Sequence, residues 1–571
     1  MDYQKYNLTN TSIMKKKNLL LTLAFAAMPV MAQMPDTELP DPHPAPASAW
    51  QGVTKAALGW GNIDTQYGRN AVPRMADRLD LYAWRGERVS AQALVLVPQG
   101  GKVTFSVSDL RNGRHVIPAE AVNRYFVRYV MSDSLRQGEY LVPDRLDPAR
   151  ELTAEAQTVR PLWLDIRVPQ TAAPGKYRGT LTAHVDGTGL TIPFTLEVGR
   201  RTLPEPSEWA FHLDLWQNPY SVARFYGVKL WSKEHFDRMR PMMKELAAAG
   251  QKVITASIIK HPWNGQTEDA FESMIGKTLT QGGEWRYDYR VFDRWVEFMM
   301  DCGITEQIDC YTIVPWHLLF EYYDEARNCT VQEKLAPGSK EYEDYLIPFL
   351  KDFARHLKEK GWFGKTCIAM DERPKSLLEP AYAVLYKADP GFRVKGAINY
   401  FGPEVSERMY DISFSFNQPL LTPQQIAAHR SKGHKVTFYT CTGHVRPNTF
   451  VKSRPAEAAW LGWHTAAADY DGYLRWAFNS WVKNPWQDSR FVRFEAGDCF
   501  LVYPGGTSVR WERLVEGIED FEKIRVLRSE LKGKKLQRLN DEIKKFSPVK
   551  IEPGTNVENM VRDAQKLLNT L

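Results

Sequence analysis

Between residues 50 and 198 apolar and polar positions alternate with a period near two, in runs at 92–97, 102–107, 125–130 and 162–168, the pattern of half-buried strands. Two further runs, 177–185 and 190–198, flank Asp186-Gly187-Thr188-Gly189, whose residues tolerate φ > 0 and predict a hairpin. Together these runs predict a β-sandwich. Leu203-Pro204-Glu205-Pro206 closes it, and beyond that point the period changes. Amphipathic helical segments now stop at a glycine (Gly250, Gly303, Gly361, Gly391, Gly433), each suited to a left-handed C-cap, and an apolar strand follows within a few residues. The strands so marked, at 253–258, 308–314, 367–370, 394–399 and 436–440, join 211–215, 412–416 and 473–478 to make eight. Ser232 is placed to cap one helix, in which Pro241 predicts a kink, and Thr422-Pro423-Gln424-Gln425 has the spacing of a capping box.

Eight strands interleaved with helices predict a (β/α)8 TIM-like barrel, and the chain as a whole reads as a multidomain β plus α/β protein. A doubly wound open sheet is the alternative, but no Gly-rich phosphate fingerprint follows the first strand. The expected organisation is a β-sandwich over 49–205, the barrel over 206–531 with its last helix at 510–527, and a short C-terminal helical extension over 532–571.

Ahead of the sandwich, Lys15-Lys16-Lys17, the apolar run 19–27 and Val30-Met31-Ala32 have the order of a secretory signal peptide. The expectation is a signal peptide over 1–32 with its true start at Met14, then a Pro-rich linker over 33–48 acting as an extended tether, and export to the periplasm or the extracellular space. The apolar run is too short for a membrane span, and no other stretch is long enough. Six cysteines without a CxxC argue against a zinc ribbon or a disulfide scaffold; most are expected to be buried thiols, with one disulfide left open. A net charge of +6 is too weak to demand nucleic acid as a partner. Oligomeric state is not readable. Aromatic residues stand out: Trp460, Trp463, Trp476, Trp481, Trp486 and Trp511 crowd one segment, and flat apolar rings suit sugars as well as cores.

In a barrel of this kind the C-terminal ends of the strands open into the mouth, so polar residues there are candidates for chemistry. The fourth strand ends in Asp371-Glu372-Arg373-Pro374, two adjacent carboxylates that are expensive after an apolar strand unless they are used or paired. A salt bridge to Arg373 or a helix cap is the plainer explanation. Other strand ends supply Trp216, then His261 and Trp263, then Tyr311, Trp316 and His317, then Asn399 and Tyr400, Tyr439, and finally Trp476, Asn479 and Trp481. Aromatic faces among neutral hydrogen-bonding groups are the chemistry of a carbohydrate site, although each residue taken singly is more often packing. There is no His-x-His after the first strand, no HExxH and no GxSxG, so the ligands of an amidohydrolase or zinc protease and the elbow of a serine hydrolase are missing; no metal or cofactor is expected.

The Asp371-Glu372 pair, the segment Gly472-Tyr473-Leu474-Arg475-Trp476-Ala477-Phe478-Asn479-Ser480-Trp481, and the run Gly497-Asp498-Cys499-Phe500-Leu501-Val502-Tyr503-Pro504-Gly505 followed by Ser508-Val509-Arg510-Trp511-Glu512 together resemble glycoside hydrolase family 123. The resemblance covers nearly the whole mature chain, sandwich included. It implies a retaining exo-β-N-acetylgalactosaminidase in which the 2-acetamido group of the substrate is the nucleophile. Glu372 would then protonate the leaving oxygen and later deprotonate water, while Asp371 would orient the acetamide and stabilise the oxazoline intermediate. Like charges side by side favour one retained proton on such a pair, which suits Glu372 to its first task. Tyr439, Tyr400 and Tyr311 are equal candidates to bond the acetamide carbonyl, and Trp476 and Trp481 to enclose its methyl; Asn399, Asn479, His261 and Trp216 complete the expected substrate contacts. The partner implied is a glycan ending in β-linked N-acetylgalactosamine, on a glycolipid or an oligosaccharide.

Two other readings stay open at this point. One keeps the barrel and Glu372 but uses a separate carboxylate, Asp309 or Asp488, on a sugar lacking the acetamide. The other makes the chain a glycan-binding protein without activity.

Overall fold

The computed structural model describes residues 36–400, 407–416 and 421–571. The expected signal peptide and the first residues of the linker lie outside them. The alternating runs form two sheets packed face to face. One has the order Ala57–Gly61, Arg88–Val97, Thr158–Arg167, Val122–Ser134, Gln137–Asp147; the other Leu79–Arg85, Thr188–Thr202, Gly175–Val185, Gly101–Val107, Glu151–Ala154. Neighbours are antiparallel except Leu79–Arg85 and Thr188–Thr202. The inward positions Val95, Val103, Phe126, Leu164, Leu181 and Phe194 bury the core between them, as period-two strands require. The hairpin turn is tighter than expected: Asp186 and Gly187 alone make it, both at positive φ, which matches the strand twist. The linker is no free tether. Glu38 is buried and accepts from Arg128 and Arg160, and Leu39 packs beside Tyr129 and Met131.

Eight parallel strands follow: β1 (His212–Leu215), β2 (Val253–Ser257), β3 (Gln307–Tyr311), β4 (Thr366–Met370), β5 (Arg393–Ile398), β6 (Asp411–Ser415), β7 (Lys435–Tyr439) and β8 (Gly472–Arg475). They hydrogen-bond in the spatial order 1-8-7-6-5-4-3-2. The ring closes between β1 and β2 through a single bridge, Leu213 to Gln251. Two buried amides complete the seam. Gln251 accepts from Leu215 N at 3.0 Å and donates to Val253 O at 2.7 Å, while Gln217 accepts from Thr255 N at 2.8 Å and donates to Val253 O at 3.1 Å. Side chains thus satisfy backbone groups where the ladder is missing.

Ser232 caps Lys233–Ala248 and Thr422 forms its capping box, both as predicted. Gly250 takes the left-handed C-cap at φ 84°. Gly391 does not: the preceding helix ends at Asp389 in extended backbone, whose carboxylate accepts from Gly391 N. A Cβ there would lie 3.0 Å from the Phe363 ring, so close packing accounts for this glycine. The loops after β2 and β3 carry a four-stranded sheet not expected from the sequence (Gly276–Leu279, Trp285–Asp288, Leu319–Asp324, Cys329–Lys334).

From Asp36 onward the chain packs as one compact unit. Sandwich and barrel are joined by the helix Val509–Glu530. Its Glu516 accepts from Ser90 N at 3.0 Å, Glu512 from Arg88 at 3.1 Å, and its Arg513 donates to Asp64 at 2.9 Å. On its other side it meets the helix Pro455–Ala467 so closely that a Cβ on Gly517 would sit 2.5 Å from Ala459 O. The C-terminal extension is two helices, Gly533–Lys544 and Val557–Thr570, which bury Leu539, Ile543, Val561 and Leu568 against this pair and leave their lysines outward. All six cysteines are free. Among the described residues no helix is long and apolar enough to cross a membrane, and no cluster of His, Cys, Asp and Glu is arranged to hold a metal ion.

Candidate active site

Strand β4 is buried throughout, and Pro374 prevents its continuation, so Asp371 and Glu372 fall at the rim where the barrel opens. Each is gripped differently. Asp371 accepts the indole N–H of Trp316, from the loop after β3, at 2.8 Å. Trp316 is itself fixed by its backbone bond to Pro262 O at 3.2 Å and by Arg373, whose guanidinium lies 5.1 Å over the ring. Glu372 accepts from the Tyr439 hydroxyl at the end of β7 and from Asn399 Nδ2 at the end of β5, the latter at 3.1 Å. Desolvation by the crowded mouth, then the neighbouring Glu372 charge, push the Asp371 carboxyl up to about 6, while the Trp316 bond pulls the other way. The sequence points to Glu372 as the raised carboxyl; in the structure the raised carboxyl is Asp371. Burial, then the charge of Glu372, raise the Tyr439 hydroxyl, which stays a donor.

Beside the pair stands an aromatic wall. Trp216 stacks on Trp263 with centroids 5.1 Å apart, and Tyr311 lies 4.5 Å and 4.9 Å from the two rings. Tyr439 and Trp476 pack on the same group. The two indole N–H groups and the Tyr311 hydroxyl are buried and make no hydrogen bond within the protein. Such donors are rarely left unpaired away from water, so they are ready partners for a polar ligand. Trp476 is held from behind: its indole donates to Asp498 at 3.3 Å, and Asp498 is paired with Arg475 at 2.7 Å.

Deeper in the barrel Lys395 on β5 meets Asp214 at 2.5 Å, Asp411 at 2.9 Å and Asp309 at 3.3 Å, all fully buried. Burial raises the Asp309 carboxyl well above the usual range, while Lys395 and His212 hold Asp411 well below it. Asp309 is thus part of an internal ion cluster, and Asp488 forks onto Arg490 at 2.7 Å.

Of the residues expected at the site, Asp371, Glu372, Asn399, Tyr439, Tyr311, Trp216 and Trp476 come together. Four do not. Trp481 is buried, donates to Val502 O at 2.8 Å and lines a cavity of about 400 Å³ between sandwich and barrel. Asn479 exchanges hydrogen bonds with the Asn218 backbone at 2.8 and 2.9 Å, stitching β8 to the loop after β1. Tyr400 donates to Arg373 O at 3.0 Å, and His261 lines a separate cavity. Trp316 and Trp263 carry more of the site than their positions alone indicated, and nothing local to Trp316 marks Asp371 as its partner.

A parallel eight-stranded barrel with paired carboxylates and an aromatic wall at its mouth is the frame of a glycosidase. The glycoside hydrolase 123 catalytic domain matches residues 216–527, and the glycoside hydrolase 123 N-terminal domain residues 60–185. The chain belongs to glycoside hydrolase family 123. A family 123 glycoside hydrolase from Clostridium perfringens, whose structure was described for glycolipid glycan hydrolysis, superposes with a TM-score of 0.83 at 25% identity, covering 90% of this chain and 98% of that one. A GH10 xylanase with a bacterial Ig-like domain from termite gut (11% identity, 78% and 100% covered) and a GH20 exo-β-N-acetylglucosaminidase from Vibrio harveyi (10%, 64% and 82%) reach only 0.30 and 0.21 and carry no argument. Among curated proteins no sequence matches the chain.

Proposed function

We propose that this glycoside hydrolase is an exported, retaining exo-β-N-acetylgalactosaminidase that uses the substrate's own acetamide as nucleophile. The observation that carries the reading is the division of labour in the carboxylate pair. Asp371, desolvated and aimed by Trp316, is suited to accept the acetamido N–H, and its negative charge offsets the positive charge that develops on the ring. Glu372, held by Tyr439 and Asn399, is suited to exchange a proton with the glycosidic oxygen and then with water. In the first step the acetamide carbonyl oxygen bonds to C1 as the C1–O bond to the leaving group breaks and the Glu372 proton passes to that oxygen. In the second, water loses a proton to Glu372 and attacks C1, which reopens the oxazoline and returns the original configuration. Intramolecular attack of this kind reaches effective molarities of roughly 10⁵–10⁸ M, so no enzymic nucleophile is needed.

The aromatic wall adds apolar surface for the acetamide methyl, with three free donors beside it. The two-carboxylate reading is weakened because Asp309 and Asp488 are engaged elsewhere. The activity described for the Clostridium perfringens relative supports a glycan, including a glycolipid glycan, as substrate.

The test is a panel of chromogenic β-N-acetylgalactosaminide, β-N-acetylglucosaminide and β-galactoside, with Glu372→Gln and Asp371→Asn alongside. Cleavage of the first, lost in both variants, is the expected result; turnover of the β-galactoside at a similar rate refutes substrate assistance.

A further inference from the structure

The loops after β2 and β3 also line a second cavity, of about 450 Å³, a size that fits one sugar residue. Two stretches of its wall run on in sequence into residues that belong to the site or pack on it. His317 and Pro315 in its wall flank Trp316, the residue that holds Asp371. Arg493 precedes Phe494, whose ring packs edge-on against Trp476 at 5.2 Å. Its charged lining residues are Lys260, Glu321 and Arg493, and Lys260 is already paired, with Glu321 at 3.2 Å and with Glu272 at 3.5 Å. Arg493 is exposed and has no carboxylate partner among the described residues, and His261 and His317 add two imidazoles. His261 and Asn264 in its wall hold left-handed backbone, at φ 52° and 54°.

We infer that this cavity receives the leaving-group sugar and is built for an acidic one, its carboxylate or sulfate ester pairing with Arg493. The inference rests on the glycosidase reading above and narrows its substrate class. A guanidinium matches the two oxygens of a carboxylate or sulfate in a bidentate fork, and neutral or cationic imidazoles supply further donors. A neutral sugar would leave Arg493 with water alone.

The test compares kcat/KM of the full chain, Arg493→Gln and Arg493→Lys on four β-N-acetylgalactosaminides: those of glucuronate, a sulfated galactose, plain galactose and a chromogenic phenol. The expected result is a preference for an acidic over the neutral disaccharide on the order of 10-fold, falling with added salt. Arg493→Gln removes that preference and Arg493→Lys keeps part of it; the better of the two acids identifies the natural group. Equal turnover of acidic and neutral disaccharides, with a ratio that Arg493→Gln leaves unmoved, overturns the inference. If the chromogenic substrate is not cleaved, it is the activity reading that fails. Calorimetric binding of the glucuronate disaccharide to the wild type and Arg493→Gln then decides the cavity: tighter binding by the wild type upholds it, and equal or absent binding sinks it.

Discussion

Trp316 and Asp371 sit 55 residues apart in sequence and 2.8 Å apart in space, and their hydrogen bond fixes which way the carboxylate faces. An indole donor also stabilises the anion in a site that otherwise opposes it. Trp316→Phe keeps the ring and removes the donor. On an N-acetyl substrate kcat/KM should fall about 10-fold, with the acid limb of its pH profile displaced upward. A profile that keeps its shape would show that the ring alone matters.

The raised Asp371 carboxyl makes a statement about stability with a definite sign. Its folded value, about 6, exceeds the ordinary 3.8. Between those values the folded state binds more protons than the unfolded chain, so stability falls as pH rises through this window and levels off above it. Asp371→Asn removes the half-buried charge and should gain stability over the wild type at pH 8, by no more than about 3 kcal/mol, with little gain at pH 3.5. Thermal melts of both proteins across pH check it. On the proposed mechanism activity should move oppositely, because there the anion is the form that accepts the acetamido N–H.

Tyr439→Phe leaves the β7 backbone and ring in place and takes one donor from Glu372. A proton donor that is poorly held loses rate more than affinity, so kcat should fall by about 10- to 100-fold while KM moves little. A change confined to KM would place Tyr439 on the substrate.

Much of this arrangement is legible in the sequence because its causes are local. A helix stopping at glycine before a short apolar run needs only neighbouring residues to be read; five of the eight strands follow from it, and the other three from their apolar runs alone. Asp371-Glu372 is legible because two carboxylates after Ile368-Ala369-Met370 oppose burial. What is not legible depends on distant partners. Trp481 and Asn479 sit at a strand end like true site residues, yet Val502 and Asn218 claim them. The small sheet escapes because strands such as Cys329–Lys334 are largely exposed and polar, with no alternation to mark them.

The ion cluster under the mouth predicts strong dependence on one cation. Lys395→Met leaves Asp214, Asp309 and Asp411 facing one another without Lys395, and removing one partner of a buried pair typically loses about 3–5 kcal/mol. Urea unfolding should show that loss, and Lys395→Met with Asp411→Asn should recover part of it. A single variant as stable as the wild type would mean that the carboxylates take up protons at no cost.

The helix Val509–Glu530 belongs to two cores at once, and this limits how the chain can be divided or recombined. Its Glu512, Glu516 and Arg513 find their partners on the sandwich, so cutting the sandwich away would strand those charges on the surface of a barrel that still needs the helix. An ancestor or an engineered relative would also meet the sandwich through the loop after β8, whose Gln487 O accepts from Met131 N at 2.7 Å. It could not shed or trade the N-terminal half without rewriting this helix in the same step.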